Sequence, residues 1–329
     1  MSELPTIALL ATGGTIASTA AASTAMSGYA LSQSVDDLLA AVPDITTLAH
    51  IRARQVLNVD SRAMSGKMLL KLAARVDKAL ADPAVQAVVI THGTDTLEET
   101  ACFLDLALKQ SPKPVVLTGA MRPASALSAD GPLNLYNAVL AATHPRVRGL
   151  GVLAVLDDTL HAARYISKRH TTLAGAFAAP AQGCLGQIAD GRLELYYLPA
   201  DAEARPRFSL DGIKLLPRVD ILYDHQDAGL HLYEASIQAG VQGIVVAGTG
   251  NGSLSPQAEK GLRLAARNKI VCVRSSRTGA GVVTPNPIDT RRGLVCAAAL
   301  NPQKARILLM LALTAARDRA FIQSCFDNY

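Results

Sequence analysis

Six short apolar segments recur along this chain, and each runs directly into a loop rich in Gly, Thr, Ser or Asp. They are Ile7–Leu10, Val88–Ile90, Val115–Leu117, Val152–Leu156, Ile244–Val246 and Ile270–Val273. None of them alternates apolar with polar residues, and continuous apolar runs are typical of strands buried on both faces. Such strands occur in parallel sheets covered by helices, so the sequence predicts an α/β fold.

Helical patterns lie between these segments. Four apolar residues follow the 3.6-residue period of a helix: Leu69, Leu72, Val76 and Leu80. Thr96 and Glu99 have the spacing of a capping box, which predicts a helix over Leu97–Lys109. Asn301 and Pro302 predict the first residues of a C-terminal helix. Because helices alternate with strands, we expect ligands to bind beyond the carboxyl ends of the strands.

A proline-rich stretch with little apolar periodicity separates two parts of the chain. It contains Pro199, Pro206 and Pro217, with charged residues between them. We predict an N-terminal domain over residues 1–198, a linker over 199–217 and a smaller C-terminal domain over 218–329. The predicted fold class is a two-domain α/β protein, with a mostly parallel sheet in the first domain and a smaller parallel α/β arrangement in the second.

The composition excludes several classes of protein. Half of the residues are hydrophobic and 18 % are charged, which is typical of a globular chain. No apolar run reaches the roughly 18 residues that a membrane helix needs, and the N-terminus lacks the basic region of a signal peptide. The net charge is +5, but the basic residues are scattered and Trp is absent, so we expect no nucleic-acid partner.

The five cysteines form no C-x-x-C pair, so the sequence predicts neither a zinc site nor any other metal site. Several of them lie in apolar stretches, where buried thiols are expected. An odd number of cysteines without a disulfide framework favours a reducing compartment. We therefore expect a cytoplasmic protein, with a periplasmic protein whose signal peptide has been removed as the alternative.

Two of the polar loops carry the candidate chemistry. In the first, Gly13 and Gly14 allow a backbone to approach a ligand closely, and the Thr15 hydroxyl becomes a nucleophile if a base takes its proton. An ordinary strand-to-turn connection would have the same residues. In the second, Thr94 and Asp95 stand before a predicted helix, whose N-terminus favours anions. With Thr96 as the helix cap, Asp95 is left to bind an ammonium group.

Three further side chains have both a structural and a functional interpretation. His92 precedes the second loop, and we expect a packed structural histidine rather than a base. Lys168 lies in a polar stretch, where it is either a surface group or a lysine withdrawn from water that acts as a base. Tyr29 lies in a segment rich in Ser, Thr, Ala and Gly, which predicts a flexible loop or a lid. Spacing alone indicates an α/β ligand-binding enzyme.

The two loops together, Ala11–Ala17 (ATGGTIA) and Thr91–Thr100 (THGTDTLEET), resemble the signature pair of bacterial-type L-asparaginases. Four more segments resemble the family in its own order: Gly119–Pro123, Ser128–Asn134, Val273–Arg277 and Leu300–Arg306. The resemblance implies hydrolysis of L-asparagine to L-aspartate and ammonia through a threonine acyl-enzyme, without metal or cofactor. It also implies a homotetramer of two close dimers, in which each site combines one subunit's N-terminal domain with its neighbour's C-terminal domain.

The same resemblance implies roles for individual residues. Those with a role in catalysis are Thr15 as nucleophile, Tyr29 as lid residue, and Thr94, Asp95 and Lys168 as a second group in which the lysine lowers the proton affinity of the threonine. Those expected to bind substrate are Gly14, Ser61, Arg62, Thr94, Asp95, Ala120 and Ser253. Within this set, Ser61 and Asp95 match the groups that hold the substrate's α-carboxylate and α-ammonium. Ser253 matches a residue that approaches the site across the dimer interface.

Two positions depart from the family pattern. Arg62 stands where a Gln or Glu is common, and its charge would repel a substrate ammonium if it pointed inward. It would have no such effect if it pointed to solvent or paired with an acid. The loop before the last strand, Thr284–Asp289, lacks the usual glutamate, and Asp289 is the candidate to replace it. We therefore expect altered substrate affinity or selectivity.

Three other functions remain open. Glutaminase–asparaginases share all of these motifs, and one methylene in the substrate is worth only about 1–3 kcal/mol. An asparaginase-like subunit of a tRNA-linked amidotransferase would require an additional N-terminal domain before the first strand. A non-catalytic amino-acid binding protein on the same scaffold is the third. The presence of Thr15, Thr94 and Lys168 favours an enzyme over this last alternative.

Overall fold

The computed structural model of the chain describes residues 3–25, 28, 30–199 and 205–329. Two compact units are present, Met1–Glu203 and Ala204–Tyr329. The boundary between them falls inside the stretch for which we predicted a linker, and the finer division into 1–198, 199–217 and 218–329 stays a prediction.

The first unit is built on one large sheet. Its strands are β1 (Thr6–Ala11), β2 (Ser18–Thr19), β3 (Ala30–Leu31), β4 (His50–Gln55), β5 (Ala87–Thr91), β6 (Val115–Thr118), β7 (Val152–Leu156), β8 (Thr159–Ala162), β9 (Ser167–Lys168), β10 (Phe177–Ala178), β11 (Gly186–Ala189) and β12 (Arg192–Leu195). Eight of them form the sheet in the order β12-β11-β8-β7-β6-β5-β1-β4. The five strands β4, β1, β5, β6 and β7 lie side by side in that order and are parallel. Beyond β7 the sheet continues with β8, β11 and β12, each antiparallel to its neighbour.

Helices cover this sheet. They are α1 (Val35–Ala40), α2 (Gly66–Ala81), α3 (Leu97–Ala107) and α4 (Gly131–Thr143), with short 3₁₀ turns at Thr15–Ala17, Pro43–Thr47, Ser61–Ala63 and Pro145–Val147. The four periodic residues predicted for α2 are all buried. The strands β1, β5, β6 and β7 are almost completely buried, which is why their sequences show no alternation.

The second unit has a sheet of its own. Four parallel strands in sequential order form it: β13 (Val219–Tyr223), β14 (Gly243–Gly248), β15 (Val271–Ser276) and β16 (Val295–Cys296). Its helices are α5 (His231–Gln238), α6 (Pro256–Arg267), α7 (Pro287–Arg292), α8 (Pro302–Ala315) and α9 (Arg319–Asp327). The predicted fold class, a mostly parallel sheet followed by a smaller parallel α/β unit, is confirmed.

The six apolar segments all lie in strands, except that Ile270 precedes β15. The predicted helix after Thr96 forms but ends at Ala107, two residues early. The predicted capping box is wrong, because the Thr96 hydroxyl makes no cap bond and donates instead to the backbone oxygen of Ser61 at 2.8 Å. Across the described ranges of the chain, no helix has both the length and the apolar character needed to cross a bilayer.

His92 extends the backbone pairing of β5 with β6 by one residue, since its N–H donates to the backbone oxygen of Thr118 at 2.8 Å. Its ring is completely buried, with Nδ1 at 2.7 Å from the oxygen of Gly93 and Nε2 at 3.0 Å from the Thr100 hydroxyl. A carbonyl oxygen can only accept, so Nδ1 carries the proton and Nε2 accepts from Thr100. Burial lowers the pKa of His92 from 6.5 to about 4, against the opposing effect of the Gly93 bond.

Replacing the side chain that caps α8 tests the predicted helix start. The Asn301 side chain accepts from the backbone N–H of Lys304 at 3.0 Å. We expect N301A to lower the free energy of unfolding by about 1 kcal/mol, because one N–H of the first turn loses its partner. Chemical denaturation followed by far-UV circular dichroism measures the change. N301S keeps a capping oxygen and serves as the control, and equal destabilisation by both variants would contradict this assignment.

The buried His92 predicts a loss of stability in acid. Above pH 6.5 the ring is neutral in both states, whereas between pH 6.5 and about 4 only the unfolded chain takes up the proton. The free energy of unfolding therefore decreases by up to roughly 3 kcal/mol as the pH falls through this window. We expect the midpoint of thermal unfolding to fall less between pH 7 and 4.5 for H92Q than for the wild type. H50Q removes an exposed imidazole as control, and the same pH dependence in H92Q and wild type would disprove this role.

Candidate active site

Two polar loops leave the same edge of the large sheet side by side. They follow β1 and β5, which are parallel neighbours with Ala11 in register with Thr91. The backbone N–H and the hydroxyl of Thr12 both donate to the oxygen of Thr91, at 3.1 Å and 2.8 Å. This double contact ties the two loops together at their first residues, as expected for the carboxyl ends of adjacent parallel strands.

Beyond that point the loops touch through two glycines. Gly14 has φ +87°, and a Cβ built on it would lie 2.3 Å from the Cα of Gly93. A Cβ on Gly93 would lie 2.8 Å from the Oγ of Ser61. No side chain fits at either position, so the backbone approach predicted for the first loop is made to another loop of the same unit.

These contacts bring several of the predicted residues to one pocket. Its lining is Gly14, Thr15, Ser18, Leu31, Asp60, Ser61, Gly93, Thr94 and Asp95. Thr15 and Thr94 are 6 % and 4 % exposed, so both candidate hydroxyl groups are largely withdrawn from solvent. No sequence pattern singled out Ser18 or Asp60. Ser18 lies three residues after Thr15, and its hydroxyl donates to the oxygen of Gly14 at 3.0 Å.

Lys168 connects to the second loop. Its Nζ donates to the Oγ1 of Thr94 at 3.1 Å and to the Oδ1 of Asp95 at 2.7 Å. The lysine side chain is only 17 % exposed, whereas that of Asp95 is 55 % exposed. A lysine nitrogen at hydrogen-bond distance can exchange a proton with a hydroxyl, so Thr94 can take up a proton while Lys168 receives the proton that the threonine already carries. Lys168 lies in the short strand β9, which pairs with β10.

Ser61 approaches the same loop from a third direction. It begins the 3₁₀ turn Ser61–Ala63, and its Oγ accepts from the backbone N–H of Asp95 at 3.2 Å. Its backbone oxygen accepts the Thr96 hydroxyl, as described above. The start of α3 and the serine turn therefore hold each other in place, and the serine side chain faces the pocket.

Arg62 points away from this pocket. Its side chain is 80 % exposed, and its Nε lies 3.0 Å from the Oδ2 of Asp60. The other oxygen of Asp60 accepts the backbone N–H of Arg62 at 3.0 Å. The arginine therefore pairs with an acid at the rim, which was one of the two orientations considered from the sequence, and it is absent from the pocket lining.

The remaining predicted residues have different positions. Ala120 is completely buried after β6, and the adjacent Gly119 packs against the Thr94 side chain, since a Cβ there would lie 3.3 Å from Thr94 Cγ2. Tyr29 lies outside the described residues. Ser253 is exposed in the second unit, where its backbone N–H donates to the oxygen of Thr249 at 2.7 Å.

Asp289 does not have the properties of a substrate ligand. One of its oxygens accepts from Arg274 Nε at 2.7 Å, and the other accepts from Arg274 Nη2 at 2.6 Å and from the backbone of Asn286 at 2.8 Å. The carboxylate is 6 % exposed. This ion pair, together with the capping of α7, engages both oxygens, which argues against Asp289 as the replacement for the family glutamate, and that expectation stays a prediction.

The cysteines and the acidic residues offer no further centre in the described residues. All five cysteines lie in that part of the chain, and none forms a disulfide. Burial raises the pKa of Cys272 to about 12, and it also raises the pKa of Cys296 and of Cys325. Within residues 3–25, 28, 30–199 and 205–329, no three His, Cys, Asp or Glu side chains are grouped as metal ligands would be.

Comparison with protein-family models gives two matches. The model "Asparaginase, N-terminal" matches residues 6–201, and the model "Glutaminase/Asparaginase C-terminal domain" matches residues 218–326. Together these cover nearly the whole chain, in the same order as the two structural units.

Individual proteins are similar over their full length. The L-asparaginase 2 of Bacillus subtilis is 46 % identical, with 99 % of this chain and 87 % of that protein covered. The L-asparaginase 2 of Escherichia coli is 41 % identical (99 % and 94 % covered), and the glutaminase-asparaginase of Pseudomonas fluorescens is 39 % identical (99 % and 91 % covered).

A solved structure agrees with this similarity. The crystal structure of a probable cytoplasmic L-asparaginase from Campylobacter jejuni superposes with a TM-score of 0.94 at 42 % identity, covering 99 % of this chain and 100 % of that one. Fold, sequence and loop motifs agree along the chain, and the protein therefore belongs to the asparaginase/glutaminase family of amidohydrolases.

Proposed function

We propose that this protein hydrolyses L-asparagine to L-aspartate and ammonia through a threonine acyl-enzyme. The observation that carries the proposal is the contact of Lys168 Nζ with both Thr94 and Asp95, beside a pocket that Thr15 and Ser61 also line. The pocket is lined by four buried hydroxyl residues, Thr15, Ser18, Ser61 and Thr94, and by two carboxylates, and Lys168 contacts one residue of each kind. Relatives named L-asparaginase at 41–46 % identity support the choice of substrate.

In the first step of this proposal, the Thr15 hydroxyl oxygen adds to the carbonyl carbon of the substrate's side-chain amide and gives up its proton to a base. The developing oxyanion is held by the backbone N–H of Thr94, an interaction often worth several kcal/mol. The amide nitrogen takes up a proton and leaves as ammonia, and an ester of Thr15 remains. Tyr29 is the proposed lid residue over this reaction.

In the second step, water hydrolyses the ester and releases L-aspartate. The Thr94 hydroxyl is suited to relay the proton of that water, taking it up while it passes its own proton to the amine of Lys168, whose Nζ lies 3.1 Å away. The substrate's amino-acid group is assigned to the Ser61 hydroxyl and the Asp95 carboxylate, while Gly14 and Ala120 contribute backbone groups. In this scheme all of these residues belong to the first unit.

L-Glutamine is the second candidate substrate. Two relatives named glutaminase-asparaginase are 39 % and 41 % identical over nearly the whole chain, hardly less than the L-asparaginases. A pocket distinguishes one methylene by only about 1–3 kcal/mol, so dual activity is compatible with the same residues. The two amides therefore have to be compared directly.

The assembly and the compartment are part of the same proposal. We infer a homotetramer of two close dimers in which Ser253 reaches the neighbouring subunit's site, with no nucleic-acid or membrane partner. We also infer a cytoplasmic protein. The similar solved structure is named a probable cytoplasmic L-asparaginase, whereas a relative from Haemophilus influenzae, 41 % identical, is named a probable periplasmic L-asparaginase, so secretion with loss of a signal peptide is the alternative.

Removal of the proposed nucleophile tests the reaction. We expect the wild type to release ammonia from L-asparagine, and T15A to lose at least about 10³-fold in kcat, because no oxygen remains to form the ester. A coupled ammonia assay with L-asparagine and L-glutamine side by side measures both the activity and the substrate ratio. T47A removes an exposed hydroxyl that bonds only within its own turn, and serves as the control. An inactive but folded wild type, or an active T15A, would refute the proposal.

Neutralising the arginine at the pocket rim tests its orientation. We expect R62Q to change the KM for L-asparagine by no more than about twofold, because the guanidinium lies in solvent, where its charge is strongly screened. R54Q removes another exposed arginine on β4 and controls for the change in net charge. Steady-state kinetics at 0.15 M salt provides the comparison, and a much lower KM in R62Q alone would mean that Arg62 faces the substrate.

A further inference from the structure

A buried asparagine connects the two loops that lie behind the proposed catalytic pair. Asn134 lies on α4 with 2 % of its surface exposed. Its Nδ2 donates to the oxygen of Gly119 at 3.0 Å and to Oδ2 of Asp130 at 3.1 Å, and its Oδ1 accepts the backbone N–H of Asp157 at 3.0 Å. Both N–H groups and the oxygen of the amide are therefore engaged, so the side chain has one orientation only.

The Gly119 bond acts directly behind Thr94. A Cβ on Gly119 would lie 2.4 Å from the oxygen of His92 and 3.3 Å from Cγ2 of Thr94. Gly119 therefore packs with its backbone against the loop that carries Thr94, the proposed proton acceptor. A shift of Gly119 towards this loop would therefore press on the backbone of His92 and on the side chain of Thr94.

Asp130 holds the same turn from the other end. Its two carboxylate oxygens accept the backbone N–H groups of Met121 and Arg122, each at 2.9 Å. Although Asp130 is the N-cap residue of α4, its side chain makes no cap bond to that helix. The carboxylate and Asn134 together fix the turn 119–122, and neither side chain lines the pocket.

The hydrogen bond from Asp157 to Asn134 bears on the position of Lys168. Asp157 lies in the tight turn between β7 and β8 with φ +47°, and its Oδ2 is 2.6 Å from the position of a Cβ on Gly175. Gly175 precedes Phe177, which is in register with Lys168 in the β9–β10 pair. The turn that Asn134 holds therefore packs against the hairpin that presents the lysine.

We propose that Asn134 is a positioning residue that sets the 3.1 Å separation between Lys168 Nζ and Thr94 Oγ1. It acts through Gly119 on the threonine side and through Asp157 on the lysine side. This inference rests on the proposed function, because it gives Asn134 a role in that reaction. Ser61 and Asp95, to which substrate binding is assigned, are joined to each other by a separate bond at 3.2 Å. Loss of Asn134 should therefore affect the chemical step more than the binding of substrate.

The test compares two asparagines of the same helix. N134A should lower kcat about 10- to 100-fold, as expected for a displacement near 1 Å, while KM for L-asparagine stays within about threefold. Asn137 is equally buried at 2 % and donates to the side chain of Asp158 at 2.8 Å, but the Asp157 backbone bond and the Gly119 bond do not depend on it. N137A should keep kcat within about threefold. Ammonia release and the thermal midpoint are measured for both variants.

A second variant keeps the test decisive if N134A fails to fold. D130N replaces one of the two acceptors on the turn 119–122, and it should show the same fall in kcat at nearly constant KM. The inference is overturned if N134A has the same kcat and KM as N137A, or if KM rises in proportion to the loss of kcat. If N134A does not fold, full activity of D130N overturns it. Absence of ammonia release by the folded wild type is a separate result that rejects the proposed function itself.

Discussion

The contact between Gly14 and Gly93 is the constraint on which the candidate site depends. A Cβ on Gly14 would come within 2.3 Å of the other glycine, so the two loops can meet only as bare backbone. The Thr12 contacts to the end of β5 place the loops side by side, and the glycines then close the remaining gap. Thr15 and Thr94 line one pocket for this reason, although they are 79 positions apart in the chain.

The two prominent ion pairs of the protein differ in what they permit. Lys168 pairs with a carboxylate that is 55 % exposed, and such a pair gains little from its own attraction, so Asp95 can exchange this partner for another cation. Arg274 and Asp289 are almost completely buried, and breaking a pair of that kind is costly because a charge remains without a partner. The first pair is suited to chemistry and the second to holding loops together.

Sequence patterns predicted the fold where one physical requirement dominates. Strands buried on both faces must be apolar throughout, so β1, β5, β6, β7 and β14 were visible as uninterrupted runs. The edge strand β4 was not predicted, because five of its six residues are exposed and two of them, Arg52 and Arg54, carry charge. Thr96 shows how a local pattern fails, since its hydroxyl donates to the backbone oxygen of Ser61, 35 residues away, and accepts no N–H of its own helix.

The sequence by itself determined the fold class, the family and the loops that form the pocket, because uninterrupted apolar runs and glycine-rich motifs are local properties of the chain. Only the tertiary structure decided the environment of individual side chains. In the folded chain, Arg62 pairs with Asp60, Asp289 pairs with Arg274, and Asn134 lies between two loops. The direction of a charge or an amide depends on partners brought together by folding, and no local spacing encodes them.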